Sequence, residues 1–435
     1  MFSTHPQIIA QVHNLQRQGA SLLLYQAIFD QEIGQAFLRL LEVIQSEIDE
    51  LGCFKAYGTW FTAQARIQQS WQDYLIDQIL HVENPFTQSA QTTQFKCLTP
   101  SLIKAVESDL NQLQALYQCS GEQLSQWLQA TLNLSESPVI WQGQKSPEKP
   151  EELSIWTQFQ TSENWADLVE SLADYYSRSG TGLFSVGKAF RWDQGKLVTV
   201  LHPDPIQMNQ LVGYQAQQNL LIKNTQFLLA GYPAQNVLLY GSRGCGKSSR
   251  VKALLQQYYP QGLRLIEVAK SDLKDLPIVV EKLRNAPQKF IIFVDDLSFE
   301  DDDDMFKALK VVLEGTVTPR PQNVAVYATS NRRHLVREFF EDRPRPQDHD
   351  EIQAWDTVQE KLSFSDRFGL TLTFEPPDQN TYLEIVFHLA QQAGLSLHPE
   401  DLKFQALQWA TRHNGRSGRT ARQFVDFLTA ELALS

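Results

Sequence analysis

Cysteine, long apolar runs and an excess of basic charge are all scarce in this sequence. Only four cysteines occur among 435 residues, Cys53, Cys97, Cys119 and Cys245, and none forms a Cys-x-x-Cys pair. Spacing this wide excludes a disulfide-dense scaffold and fits a reducing compartment. No stretch approaches the ~18 uninterrupted apolar residues of a membrane span. The opening Met-Phe-Ser-Thr-His-Pro-Gln lacks a basic segment followed by an apolar one, so export is not expected and a cytoplasmic location is. Lysine and arginine number 38 against 50 acids, a net charge of −12, which excludes a globally basic nucleic-acid clamp.

What is present is ample core material: 42% hydrophobic against 20% charged residues excludes intrinsic disorder. A chain of 435 residues predicts two to four domains. The acidity is uneven. Residues 1–200 carry 12 basic and 21 acidic side chains, net −9, and residues 201–435 carry 26 and 29, net −3.

Residues 7–51 and 100–134 place apolar side chains at helical spacing, as in Leu38, Leu41, Ile44, Ile48 and Leu51. A polar, proline-bearing stretch at 135–154 reads as a linker, and a helix is expected over Trp156–Tyr176. Two short strands around Asp193-Gln194-Gly195 predict a β-hairpin at 189–200. His202-Pro-Asp-Pro205 then marks the main boundary, giving a mainly helical N-terminal domain over 1–200. Beyond it, apolar runs at Asn236–Tyr240, Arg264–Val268, Phe290–Val294, Val324–Ala328 and Leu370–Phe374 alternate with helical segments. Such alternation predicts βαβ units, a parallel sheet and an α/β core over 201–377. Residues 378–435 show only helical periodicity and are expected to form a helical lid.

The strongest motif is Gly241-Ser-Arg-Gly-Cys-Gly246-Lys247-Ser248, preceded by an apolar strand and followed, from Ser249, by a helix-forming run. Its glycines let successive backbone N–H groups face phosphates at a helix N-terminus. Gly241, Ser242, Arg243, Gly244, Cys245, Gly246, Lys247, Ser248 and Ser249 are therefore the nucleotide-binding candidates, with Lys247 on the phosphates and Ser248 on Mg2+. Downstream, Phe290-Ile-Ile-Phe-Val294 ends in Asp295-Asp296. At the carboxyl end of a central parallel strand Asp295 becomes a metal candidate and Asp296 the group that orients or deprotonates water. Asn331 closes a third strand and could hold water or γ-phosphate from the opposite side. Arg367 is placed to face a neighbouring subunit's nucleotide, and Arg419 to reach back from the last helix. Val212 and Gly213 precede the first core strand.

The order of these features resembles the AAA+ superfamily of P-loop ATPases. That resemblance implies a Walker A loop at Gly241–Ser248, Walker B acids Asp295 and Asp296, sensor 1 at Asn331, an arginine finger at Arg367 and sensor 2 at Arg419. It also implies ATP and Mg2+ as ligands and a homo-oligomer as the working state. Val212 and Gly213 match the region that closes over adenine in that superfamily, plain packing being an equal reading. Asn236-Val-Leu-Leu-Tyr-Gly-Ser-Arg-Gly, Asp295-Asp-Leu-Ser-Phe-Glu300, Leu313-Glu-Gly315, Tyr327-Ala-Thr-Ser-Asn-Arg-Arg-His-Leu335 and Ser365-Asp-Arg-Phe-Gly-Leu370 are similar to one narrower group. This is the bacterial family of predicted AAA+ ATPases called domain of unknown function 815. The similarity runs from Val198 to the C-terminus, with a looser echo at Trp71-Gln-Asp-Tyr-Leu75 and Glu83-Asn-Pro-Phe86.

Two departures stand out. Most AAA+ members carry Glu where this chain has Asp296, which points to slow or water-mediated hydrolysis. Cys245 occupies a loop position where small hydroxyl residues are commoner, so either a reactive thiol or a small residue that simply fits is open. The acidic run Glu300–Asp304 reads as a solvated loop, and Trp60, Trp71, Trp127, Trp156 and Trp165 read as core. Residues 403–422 hold Lys403, Arg412, Arg416, Arg419 and Arg422 with no acid. The expected function is an Mg2+-dependent ATPase that remodels an unknown protein client, with no membrane partner. The alternative is an ATP-gated nucleic-acid binder resembling a helicase loader, using that basic stretch and Arg332-Arg333.

Overall fold

The structure is a computed structural model that describes residues 5–46, 50–143, 150–297, 304–314, 319–331, 367–395, 397–413 and 415–434. The chain divides into two compact units, Met1–Val186 and Gly187–Ser435. The acidic run up to residue 303, Arg332-Arg333 and the strings that reach into 298–303 and 332–366 lie outside the described residues.

The N-terminal unit is helical among its described residues: α1 (His5–Ala20), α2 (Glu32–Ser46), α3 (Glu50–Ile67), α4 (Trp71–His81), α5 (Pro85–Ala90), α6 (Pro100–Gln118), α7 (Gly121–Leu132), α8 (Pro150–Thr161), α9 (Val169–Ser179) and α10 (Leu183–Val186). Its five flagged tryptophans all lie in the core, none more than 7% exposed. Phe37 stacks on Trp71 at 3.9 Å between centroids. Asp109, fully buried, accepts hydrogen bonds from the backbone N–H groups of Leu23, Leu24 and Tyr25. A carboxylate used this way replaces water for three donors that the turn leaves without helical partners.

Two expectations are corrected here. The helix expected over 156–176 is broken: α8 ends at Thr161, a 3-10 turn spans Trp165–Leu168, and α9 starts at Val169. Asn164 causes the restart, because its side-chain oxygen accepts from the Ala166 N–H and so caps a new turn. The 135–154 stretch likewise gives way to α8 at Pro150, four residues before its expected end.

The second unit is built on one seven-stranded sheet of β1 (Ala189–Asp193), β2 (Lys196–Val200), β3 (Val237–Gly241), β4 (Leu263–Glu267), β5 (Lys289–Val294), β6 (Val324–Ser330) and β7 (Leu370–Phe374). The order is β2-β1-β4-β5-β6-β3-β7, antiparallel only between β1 and β2. All five strands expected after residue 200 are present. β5 and β6 are buried almost throughout, which their continuous apolar sequences require of strands covered on both faces. Helices α11 (Gln215–Leu229), α12 (Lys247–Tyr258), α13 (Leu276–Leu283) and α14 (Asp304–Glu314) connect or cover the strands. The lid follows as α15 (Gln379–Gln392), α16 (Pro399–Arg412) and α17 (Gly418–Leu434), around its own core of Tyr382, Val386, Ala406 and Val425. Asp378 starts it by capping the Thr381 N–H.

The hairpin at 189–200 does not belong to the N-terminal domain expected over 1–200. β1 pairs in parallel with β4, Phe190 opposite Ile266, so the hairpin forms one edge of the seven-stranded sheet. Phe190 and Trp192 are at most 2% exposed, and the Trp192 indole donates to Asp275 at 3.0 Å. A fragment starting at Gly187 is expected to unfold cooperatively. One starting at Leu201 loses two buried aromatics worth about 2–3 kcal/mol each and exposes the β4 edge. It should melt lower and self-associate, as thermal denaturation and light scattering of the two fragments would register.

Candidate functional site

β3 lies between β6 and β7, so the sheet changes winding direction beside it and leaves a crevice at the carboxyl ends of the strands. The chain leaves β3 at Gly241, where φ is +135° and an added Cβ would stand 2.0 Å from the Phe374 carbonyl oxygen of β7. Only glycine fits that approach. The Ser242 N–H then bonds the same carbonyl at 3.0 Å, clamping the loop to β7. Gly246, at φ +74°, turns the chain into α12, whose first residues are Lys247, Ser248 and Ser249.

Lys247 is buried, and its three ammonium donors go to the carbonyls of Gly241 and Ser242, both at 2.8 Å, and to Asn331 Oδ1 at 3.2 Å. Burial pulls its pKa below the ordinary lysine value, opposed by the nearby Cys245, Asp295 and Asp296. The amide of Asn331 donates in turn to Asp296 Oδ1 at 2.6 Å. On the other side the Ser248 hydroxyl donates to Asp295 Oδ1 at 2.6 Å. Ser248, Asp295, Asp296, Asn331 and Lys247, named from sequence, thus meet in one hydrogen-bonded group. Asp295 and Asp296 are exposed, open to the crevice rather than sealed beneath it.

Sequence reasoning missed Thr329. Its hydroxyl donates to Asp295 Oδ1 at 2.5 Å and accepts from the Asp296 N–H at 3.0 Å, so one side chain on β6 orients both acids at the end of β5. The available signal was its place, two residues before Asn331 in an otherwise apolar strand.

Arg250 was also missed. Its side chain is 1% exposed, lying on the inner face of α12. Nη1 donates to the carbonyls of Cys245 and Gly246 at 3.1 and 3.2 Å, and Nη2 to those of Val212 and Gly213 at 3.3 and 2.7 Å. The guanidinium also sits over the rings of Tyr214 and Phe374, 5.2 and 5.4 Å from their centroids. Burial lowers its pKa to about 10, leaving it charged at neutral pH. Val212 and Gly213 are thereby fastened to the glycine loop. They also meet the lid: Val212 packs against its core, and a Cβ on Gly213 would lie 3.0 Å from Thr381 Cγ2.

Cys245 is 4% exposed, and its thiol donates to the Glu375 carbonyl at 3.6 Å, a packed small residue at the end of β7. Arg243 is exposed at the loop's outer side. Gly244 touches the lid, accepting from the backbone N–H of Arg419 at 3.2 Å, while the Arg419 side chain is exposed. Arg367 is not brought to this group. Parallel register pairs Gly241 with Phe374 and Val237 with Leu370, so Arg367, preceding Leu370, lies toward the opposite end of the sheet. Strand β7 alone separates the two ends by about 13 Å.

A hydroxyl, a carboxylate and solvent-accessible space form an all-oxygen donor set of the kind Mg2+ accepts, so Ser248 and Asp295 fit that ion. A cavity of about 790 Å³ occurs elsewhere, in the N-terminal unit, lined by Phe61, Ser125 and Trp141 among others. Among its described lining residues Glu122 alone carries a charge.

Solved structures with a loose likeness include the Thermotoga maritima RuvB Holliday junction branch migration motor, at 13% identity and TM-score 0.37, covering 53% of this chain and 66% of that one. Two variants of the same RuvB give TM-score 0.38 at 12% and 14% identity, covering 53% of this chain and 66% and 67% of theirs. The chain spans 66% of the length of the first of these, and a likeness so loose carries nothing about activity. No curated protein matches the sequence. The glycine loop at the switch point of a mostly parallel sheet, and the helical lid, are those expected from the sequence. Residues 185–432, more than half of the sequence, match the family described as Protein of unknown function (DUF815), and the chain belongs to that family.

Proposed function

We propose that the protein binds ATP with Mg2+ and hydrolyses it, coupling the cycle to remodelling of a protein partner. The observation that carries this reading is the continuous group Ser248–Asp295–Thr329–Asp296–Asn331–Lys247 at the mouth of a glycine loop. In it a cation for phosphates, a hydroxyl and carboxylate for metal, and a second carboxylate for water stand within hydrogen-bond reach of one another.

The steps follow from these positions. Backbone N–H groups of Gly244–Ser248 and the Lys247 ammonium hold the β- and γ-phosphates. Ser248 and Asp295 would hold Mg2+, which when bound would neutralise phosphate charge. Asp296 accepts a hydrogen bond from water and takes its proton as the water oxygen bonds to the γ-phosphorus. The bond to the β–γ bridging oxygen breaks, and ADP leaves with inorganic phosphate. Asn331 fixes the Asp296 carboxylate, because its amide donates to that oxygen. Arg367, far from its own loop along the sheet, supplies charge to the nucleotide of a neighbouring copy.

Three outcomes test this. Lys247→Ala removes the phosphate cation, and calorimetric titration with ATP and Mg2+ should show affinity reduced roughly 10- to 100-fold. Unchanged affinity would refute the phosphate site. Asp296→Asn keeps the geometry but cannot take a proton, so steady-state turnover should drop ~10²- to 10⁴-fold while ATP stays bound. For Arg367, turnover per subunit should rise with protein concentration in the wild type and stay flat and low in Arg367→Ala. Concentration-independent turnover untouched by the substitution would remove the cross-subunit role.

A further inference from the structure

The Arg250 guanidinium bonds both the phosphate loop and the Val212–Gly213 loop, donating to two carbonyls of each. Stability alone does not call for a cation there. Its Nε is buried with no acceptor, and taking a charge out of water costs more than burying an apolar side chain of similar volume. Geometry does call for it. A planar fork with donors on both terminal nitrogens can hold two backbone segments at a fixed separation, whereas an ammonium on a flexible stem cannot hold both pairs at once. The rings of Tyr214 and Phe374, 5.1 Å apart, both abut the guanidinium, and the Tyr214 hydroxyl donates to the Glu375 carbonyl. Four segments therefore converge on one side chain: the 212–214 loop, the phosphate loop, α12 and the end of β7.

We infer that Arg250 is a positioning residue that sets the separation between a base-binding loop at Val212–Gly213 and the phosphate loop, and so makes the site select a nucleoside triphosphate over triphosphate alone. The inference rests on the reading of this site as an ATP site. Arg250 touches no ligand in this account. It works through the carbonyls of Cys245, Gly246, Val212 and Gly213, which it holds at a fixed separation.

The test compares ATP with inorganic tripolyphosphate, both with Mg2+, by calorimetry on the full chain. Wild type should bind ATP more tightly than tripolyphosphate. Arg250→Leu should lose about tenfold or more in ATP affinity while tripolyphosphate affinity changes by less than about twofold. Arg250→Lys, able to serve one pair of carbonyls at a time, should fall between them. Gly213→Ala perturbs the same loop from the lid side, through its φ of +77° and the contact with Thr381, and should reproduce the selective loss even if Arg250→Leu does not fold. Equal losses for both ligands, or none, would overturn the inference, because Arg250 would then only prop the phosphate loop or do nothing for binding. Failure of wild type to bind either ligand would instead defeat the ATP reading itself, a result the variants are not needed to see.

Discussion

Everything at the site depends on β3 lying between β6 and β7 in parallel register. Gly241 then falls beside Phe374, and Val237–Tyr240 pair with Tyr327–Ser330, which delivers Asn331 past the end of β6. The pairing of β5 with β6, Val294 opposite Ala328, sets Asp295 next to Thr329. A slip of one residue in either pair would send every side chain of the slipped strand to the opposite face and carry the polar ones away from the loop. The geometry of the site is thus a by-product of burying Val237, Leu239, Ile291, Phe293, Ala325 and Tyr327 in one core.

Much of this was legible because the governing patterns are local. An apolar run, a glycine loop and a helix-forming stretch declare themselves within about thirty residues, as do runs ending in Asp295-Asp296 and Asn331. The lid was legible for the same reason. Thr329 and Arg250 were not, since each owes its place to groups remote in sequence: Thr329 to acids 33 and 34 residues away, Arg250 to carbonyls 37 and 38 residues away. Neither a threonine in a strand nor an arginine in a helix departs from ordinary composition. The hairpin at 189–200 was read correctly as two strands and misassigned to a domain, because turn chemistry fixes a hairpin while only non-local pairing tells which sheet it joins.

The unusual aspartate at 296 has a local physical reason. Its φ is +51°, in the left-handed region, as the chain leaves β5 and turns so that the next residue, Leu297, bonds the Thr329 carbonyl at 2.7 Å. Asparagine and aspartate enter that region more readily than longer side chains, because a short polar group can bond locally. Here the Asp296 carboxylate accepts instead from the Asn331 amide, 35 residues away. A glutamate would meet a backbone cost there and carry its carboxylate one methylene farther from that amide. Shortening the acid and bending the backbone are two sides of one arrangement.

The same network ties phosphate occupancy to the acid. All three Lys247 donors are committed, to two carbonyls and to Asn331, and an ammonium has no fourth. On the ATP reading, a phosphate oxygen must displace one of them. The bond to Asn331, at 3.2 Å, is the longest and is made to a neutral side chain rather than to the loop's own backbone. Exchanging it leaves the loop intact and frees Asn331 Oδ1 while its Nδ2 still holds Asp296. The freed amide oxygen can accept from water beside the carboxylate that takes its proton. On that reading, binding at Lys247 reaches Asp296 through a single amide, with no movement of the sheet required.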